Sequence, residues 1–255
     1  MPKKESVWEN AILKVLEKHS GIATLKNFYE EVPPQITKTR TSDAKHDIRG
    51  YLRRLKNIKK EIKQIGLSTY ALLNVKAENV LYESIQDKKF EKNFFGLPKN
   101  QIHDYVEGML IEIGNLKNYQ TYTPDKNVIF NGEPLSELVA YSEMPKFTYQ
   151  DILDTIKQID VIWFKDRFPY LTFDVEFSTQ FSMALVRANE LRNFKTDFYV
   201  VAEESKENLF KTKMNVSTFQ SIKEEVKFIT IKSVFDDYKR LVLENKNKER
   251  SLIFK

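Results

Sequence analysis

Apolar positions at the start of the chain recur at helical spacing three times before any strand-like run appears. Trp8, Ala11, Ile12, Val15 and Leu16 line one face of a first helix, and His19-Ser20-Gly21 closes it. Leu25, Phe28, Tyr29 and Val32 repeat the pattern, and Pro33-Pro34 ends it. After the polar stretch Thr37 to Ser42, a third helix turns Ala44, Ile48, Tyr51, Leu52 and Leu55 inward. Its outward stripe is Lys45, Arg49, Arg53 and Lys56, one above another. Glu61 to Ile65 and Ser68 to Leu72 read as two short strands around Gly66. Residues 75–100 carry no long period, only a charged patch and Gly96-Leu97-Pro98, and read as a connector with a short helix. From Gln101 a helix buries Ile102, Val106, Met109, Leu110 and Ile113, with Gly114 as its stop. Strand-like pieces follow at Tyr119 to Tyr122, Val128 to Phe130, Ile159 to Phe164 and Leu171 to Phe177. Then come a helix (Phe181 to Asn193), a strand (Asp197 to Val201), a helix around Val216 to Ile222, a strand (Phe228 to Ile231) and a last helix to about Glu244.

Three helices and a hairpin predict a small, mainly helical winged-helix domain over residues 1–74. Strands mixed with helices predict an α/β domain over residues 101–255, a mixed central sheet flanked by helices, with the last two strands parallel. Charge separates the two parts. Residues 1–74 hold 15 Lys+Arg against 8 Asp+Glu, a net +7, whereas the remaining 26 against 28 give −2. A basic segment beside a near-neutral one points to a polyanionic partner for the first. The absence of cysteine removes disulfides, thiolate nucleophiles and cysteine-based zinc sites. No apolar run approaches the ~20 residues that span a bilayer, and the first residues lack a signal peptide's apolar stretch, so the expected compartment is the cytoplasm.

The candidate chemistry lies in two apolar runs. Ile159-Asp160-Val161-Ile162-Trp163-Phe164 carries one carboxylate, and Thr172-Phe173-Asp174-Val175-Glu176-Phe177 carries two. Alternation puts Asp174 and Glu176 on one face of their strand. If the runs pair, three carboxylates converge, and such a cluster repels itself unless a hard divalent cation sits in it. The helix from Gln101 adds His103 and Glu107, one turn apart, with Glu112 on its opposite flank, so either glutamate but not both can reach the site. The order helix, Asp160-Val161-Ile162-Trp163, Phe173-Asp174-Val175-Glu176-Phe177-Ser178, then Leu185-Val186-Arg187 resembles the PD-(D/E)xK restriction-endonuclease superfamily over about Gln101 to Ala202. The resemblance implies a Mg²⁺ site, with Mn²⁺ as a substitute. Asp160 would be the principal ligand and Asp174 its partner. Glu176 would be a further ligand or the general base, and Glu107 the helix-borne carboxylate with Glu112 in reserve. One departure stands out: Glu176 occupies the position of the superfamily's usual lysine, leaving Glu176 itself or the metals to serve, or Lys165 or Lys195 to supply the charge from elsewhere.

The first 70 residues resemble the HARE-type helix-turn-helix module that accompanies bacterial restriction endonucleases, through Trp8 to Leu16 and Ile22-Ala23-Thr24-Leu25-Lys26. Together the two resemblances imply a Mg²⁺-dependent, type II-like restriction endodeoxyribonuclease acting on double-stranded DNA, with modification dependence open. Lys45, Arg49, Arg53 and Lys56 would meet DNA, and double-strand cleavage would call for a homodimer. Plainer readings stand beside these: the basic stripe as a solvated face, Asp160 as a strand flank, His103 as a hydrogen-bonded edge residue. Arg187, in an otherwise apolar helix, would hold a phosphate or brace a carboxylate, and Ser178 and Thr179 would orient the site. The rival function is a DNA-binding regulator whose nuclease domain has lost activity with its lysine.

Overall fold

The computed structural model describes residues 6–36, 43–78, 80–178 and 181–251. Thr179 and the stretch Thr37 to Ser42 lie outside them. Helix α1 (Val7–Lys18) starts at a capping box in which Ser6 and Glu9 satisfy each other's backbone N–H. It ends where Ser20 and Gly21 turn left-handed. Strand β1 (Ile22–Thr24) leads into α2 (Leu25–Glu31), whose first turn is closed by Thr24 and Asn27. Helix α3 (Ala44–Arg54) is capped by the Asp43 carboxylate. Its Ile48 and Leu52 pack on α1 and α2 in one apolar cluster with Trp8, Ile12, Leu16 and Phe28.

Strands β2 (Ile62–Gln64) and β3 (Thr69–Leu72) form the expected hairpin. A third strand was not expected. β1 pairs antiparallel with β3, giving the order β1-β3-β2. Three residues at the front of a helical pattern carry too little period to be told from the helix itself.

In the larger part, α4 (Lys88–Phe94), α5 (Lys99–Leu116), β4 (Gln120–Tyr122), β5 (Ile129–Phe130), β6 (Glu133–Pro134), α6 (Leu135–Leu138) and α7 (Gln150–Ile156) precede the main strands. These are β7 (Val161–Lys165) and β8 (Phe168–Glu176), then α8 (Ser182–Glu190), β9 (Asp197–Ala202), α9 (Glu207–Met214), β10 (Val226–Thr230) and α10 (Ile231–Ser251). The five-stranded mixed sheet has the order β10-β9-β8-β7-β4. β4, β7 and β8 are antiparallel, and β8, β9 and β10 run parallel. Helices α5 and α10 cover one face through Val106, Met109, Phe235 and Tyr238, against Val161, Trp163, Phe173 and Val175. Helices α7, α8 and α9 cover the other through Ile156, Leu185 and Phe210, against Ile162, Phe164, Phe198 and Val200.

Several expectations need adjustment. Gly114 does not end α5, which continues to Leu116. A Cβ there would lie 2.7 Å from Trp163 Nε1, so this glycine lets the indole pack against the helix and donate to the Leu110 carbonyl at 3.1 Å. The stretch 75–100 packs Leu81, Tyr82, Ile85 and Phe94 into the same core as α5. The helix expected near Val216 is a 3-10 segment (Ser217–Ile222), and α9 precedes it, anchored by Phe210 and Met214 with Leu209 packed beside them. Among the described residues no helix is long and apolar enough to cross a membrane.

Candidate active site

The register of β7 and β8 builds the site. Val161 faces Phe173, so Asp160, one residue before β7, comes beside Asp174. The Asp160 backbone N–H donates to Asp174 Oδ1 at 3.4 Å, and Asp160 Oδ2 accepts the Val175 N–H at 2.6 Å. Asp160 is thereby fixed at the strand edge by the backbone of the neighbouring strand. Asp174 is fully buried, and Arg187 Nε of α8 donates to its Oδ2 at 2.8 Å. Burial, then the charge of Asp160, pushes the Asp174 pKa up to about 7, with Arg187 opposing. The single arginine of α8 therefore braces a carboxylate inside the protein and partly offsets its burial.

The carboxylates do not gather on one face. Phe173 and Val175 pack toward α5, so Asp174 and Glu176 point to the α8 side. Glu107 approaches from the α5 side. His103 links the two halves: its Nε2 lies 3.3 Å from Asp160 Oδ2 and its Nδ1 3.9 Å from Glu107 Oε2. Burial alone would lower the His103 pKa, but hydrogen bonding and attraction to Asp160 raise it overall. Glu107 is 0% exposed, and no donor among the described residues reaches either of its oxygens. Burial, reinforced by the charges of Asp160 and Asp125 and by the hydrogen bond that a protonated Glu107 can give to the Asp125 carboxylate, raises its pKa well above the usual carboxylate value. Asp125, in the turn after β4, brings a third donor atom: His103, Glu107 and Asp125 each offer one, all within 4.8 Å of one another.

Glu112 takes no part. It points about 140° away from Glu107 around the helix. There it accepts hydrogen bonds from the Leu67 and Ser68 backbone, in the turn between β2 and β3, and from Tyr238.

Glu176, at the last position of β8, is half-buried and accepts from Ser178 Oγ at 2.9 Å. Neither expected lysine stands near it. Lys165 pairs with Phe168 at the far end of β8, eight residues or about 26 Å along the strand. Lys195 precedes Asp197, which pairs with Leu171, also at that end. Lys206, after β9, does reach this end: its ammonium donates to the carbonyls of Phe177 and Ser178. Only 9% exposed, it has its pKa held down by burial, with Glu203 and Glu176 opposing and Lys99 assisting. Asp125 and Lys206 escaped the sequence reading because each sits in a polar turn that looks like any solvated loop.

Of the basic stripe, Lys45 and Arg49 are exposed and Arg53 and Lys56 half-exposed. Lys45 and Arg49 lie over the Tyr29 ring, and Arg49 Nε donates to its hydroxyl at 2.5 Å.

The mixed sheet set between helical layers, with buried carboxylates at one strand end, agrees with the α/β architecture expected from the sequence. The family model of the type II restriction enzyme NmeDI C-terminal domain matches residues 83–249, 167 of the 255. The chain belongs to that family. No curated protein and no solved structure matches.

Proposed function

We propose that the chain is a Mg²⁺-dependent, type II-like restriction endodeoxyribonuclease. Residues 101–255 would be a PD-(D/E)xK-like cutting domain, and residues 1–74 a winged helix that binds DNA. The observation that carries this reading is Glu107, a fully buried carboxylate with no donor, set against His103, Asp160 and Asp125 in a restriction-enzyme family member. Buried carboxylates are ordinarily paired, so a cation fits this one. When bound, Mg²⁺ supplies an acidified water and offsets charge on the phosphate oxygens.

The residues then divide the work. Asp160 and Glu107 would hold the ion. Asp174, already braced by Arg187, acts through Asp160 by accepting its backbone N–H. Glu176, oriented by Ser178, is placed to take a proton at the open strand end. Lys206 is a positioning residue that braces the turn after Glu176 and sets a positive charge beside it. Lys45, Arg49, Arg53 and Lys56 neutralise DNA phosphates, and a homodimer would cut both strands.

One observation favours the rival reading of an inactive DNA-binding regulator: Arg187 occupies Asp174, where the superfamily resemblance implies a ligand. Plasmid cleavage decides between them. Unmodified and broadly methylated plasmids are incubated with the protein and Mg²⁺, beside Asp160→Ala, Lys206→Met and an EDTA control. Discrete fragments that vanish with Asp160→Ala and with EDTA are expected, with Lys206→Met slowed. Gel shifts without cutting of either plasmid would establish the regulator.

A further inference from the structure

The acidic clusters, the domain junction and the cavities differ in one respect: only at Glu107 does a fully buried carboxyl group lack a donor to either oxygen among the described residues. We propose that His103, Glu107 and Asp125 form a nitrogen-containing cation site, with Asp160 at its edge, that selects Mn²⁺ over Mg²⁺. This extends the nuclease reading, but ion binding is measured without DNA, so either can fail alone.

The geometry supplies the donors. His103 and Glu107 come from successive turns of α5, and Asp125 from the turn after β4, so a helix and a strand end hold the three in place. An ion with bonds of about 2.1 Å needs its ligands about 3 Å apart when adjacent and about 4.2 Å when opposite. Donor atoms within 4.8 Å meet that with movements below about 1 Å. Asp125 is exposed and Glu107 is not, which gives the site a mouth and a floor.

The donor set argues for the kind of ion. Mg²⁺ and Ca²⁺ take oxygen ligands and keep their waters, whereas imidazole suits first-row transition ions. His103 is also the group that bridges Glu107 and Asp160, so a proton on its ring could replace an ion. An imidazolium between two carboxylates is therefore the competing explanation. It leaves Glu107 with a partner at 3.9 Å, beyond hydrogen-bond reach.

The full-length protein, stripped with EDTA and dialysed, is titrated with Mn²⁺ while the free-ion EPR signal is followed. A parallel titration has Mg²⁺ as competitor. Tight Mn²⁺ binding that Mg²⁺ displaces only in large excess is expected, with pulsed EPR detecting a coupled ¹⁴N nucleus. His103→Gln should abolish the nitrogen coupling and narrow the Mn²⁺ preference. Asp125→Asn should weaken Mn²⁺ binding about tenfold or more. Asp104→Asn, which removes a nearby charge but no donor of the cluster, should leave affinity within about threefold. Each variant must melt cooperatively, beside a wild-type control, for its affinity to count. No Mn²⁺ binding, no nitrogen coupling in the wild type, or Asp125→Asn binding like the wild type would each overturn the site and leave the imidazolium cluster in its place.

Discussion

Two buried glutamates on one helix, five residues apart, have opposite surroundings. Glu112 accepts six hydrogen bonds: the Leu67 and Ser68 N–H groups, the Ser68 and Thr69 hydroxyls, the Asn131 amide and the Tyr238 phenol. Glu107 accepts none from the described residues. Both are 0% exposed. Burial raises the pKa of each carboxylate, but at Glu112 the donors oppose that rise and fasten the β2–β3 turn to α5. Gly66 makes the approach possible, since a Cβ there would lie 2.4 Å from Glu112 Oε1. Asn131 reaches the same carboxylate from the left-handed Asn131-Gly132 turn that joins β5 to β6. Glu112 thus ties the N-terminal unit to the sheet domain, whereas Glu107 has no donor among the described residues. The number of donors, not burial, separates the two carboxylates.

The largest expected effect comes from breaking the satisfied member. Glu112→Ala would strand two buried backbone N–H groups and three or more side-chain donors, lowering stability by about 3 kcal/mol or more. Urea midpoints measure it, and Glu112→Gln, which keeps one acceptor oxygen, should fall between variant and wild type. A loss below about 1 kcal/mol would mean that the six contacts carry little of the junction's stability. The unsatisfied member should behave in the opposite sense. In EDTA at pH 8, Glu107→Gln removes a buried carboxyl that must either ionise without a donor or hold its proton well above its ordinary pKa, and should stabilise the fold by about 1 kcal/mol or more. Destabilisation by this near-isosteric change would show that Glu107 already has an internal partner, and the contrast with Glu112 would collapse.

The comparison also shows what a sequence can and cannot convey. Helical spacing alone puts Glu107 and Glu112 on different flanks of α5, so it is legible that one of them reaches the strand-end carboxylates. Which one does so depends on where the Leu67-Ser68 turn docks, more than forty residues earlier in the chain, and no local pattern encodes that. The adjacency of Asp160 and Asp174 follows from alternation and pairing, and a lone Arg187 among Met183, Ala184, Leu185, Val186 and Ala188 marks itself as a bracing candidate. Lys165 misleads because proximity in sequence to Asp160 is distance along a strand once β7 is extended. Asp125 and Lys206 become visible only when the turns that carry them close over the sheet end.

A third carboxylate offers the smallest test, because it is neither fully satisfied nor fully buried. Glu133, on β6, is half-buried where Glu137 meets Asn27 of the N-terminal unit. Burial raises its pKa to about 7, the charge of Glu137 adds to that, and His19 opposes it. In the unfolded chain it titrates near 4.5. Below that value both states are protonated and Glu133 costs nothing. As pH rises toward 7 the unfolded state ionises first, so stability falls across this window and the cost is complete above it. Glu133→Gln cannot ionise and should flatten that part of the profile. Relative to wild type, the variant should gain in urea midpoint between pH 5 and pH 8, by less than the Glu107 effect because water still screens one side. A difference between the two proteins that stays constant from pH 5 to pH 8 would mean that partial exposure is enough to keep a carboxylate at its ordinary pKa. The contrast between Glu107 and Glu112 would then apply only to groups sealed completely from water.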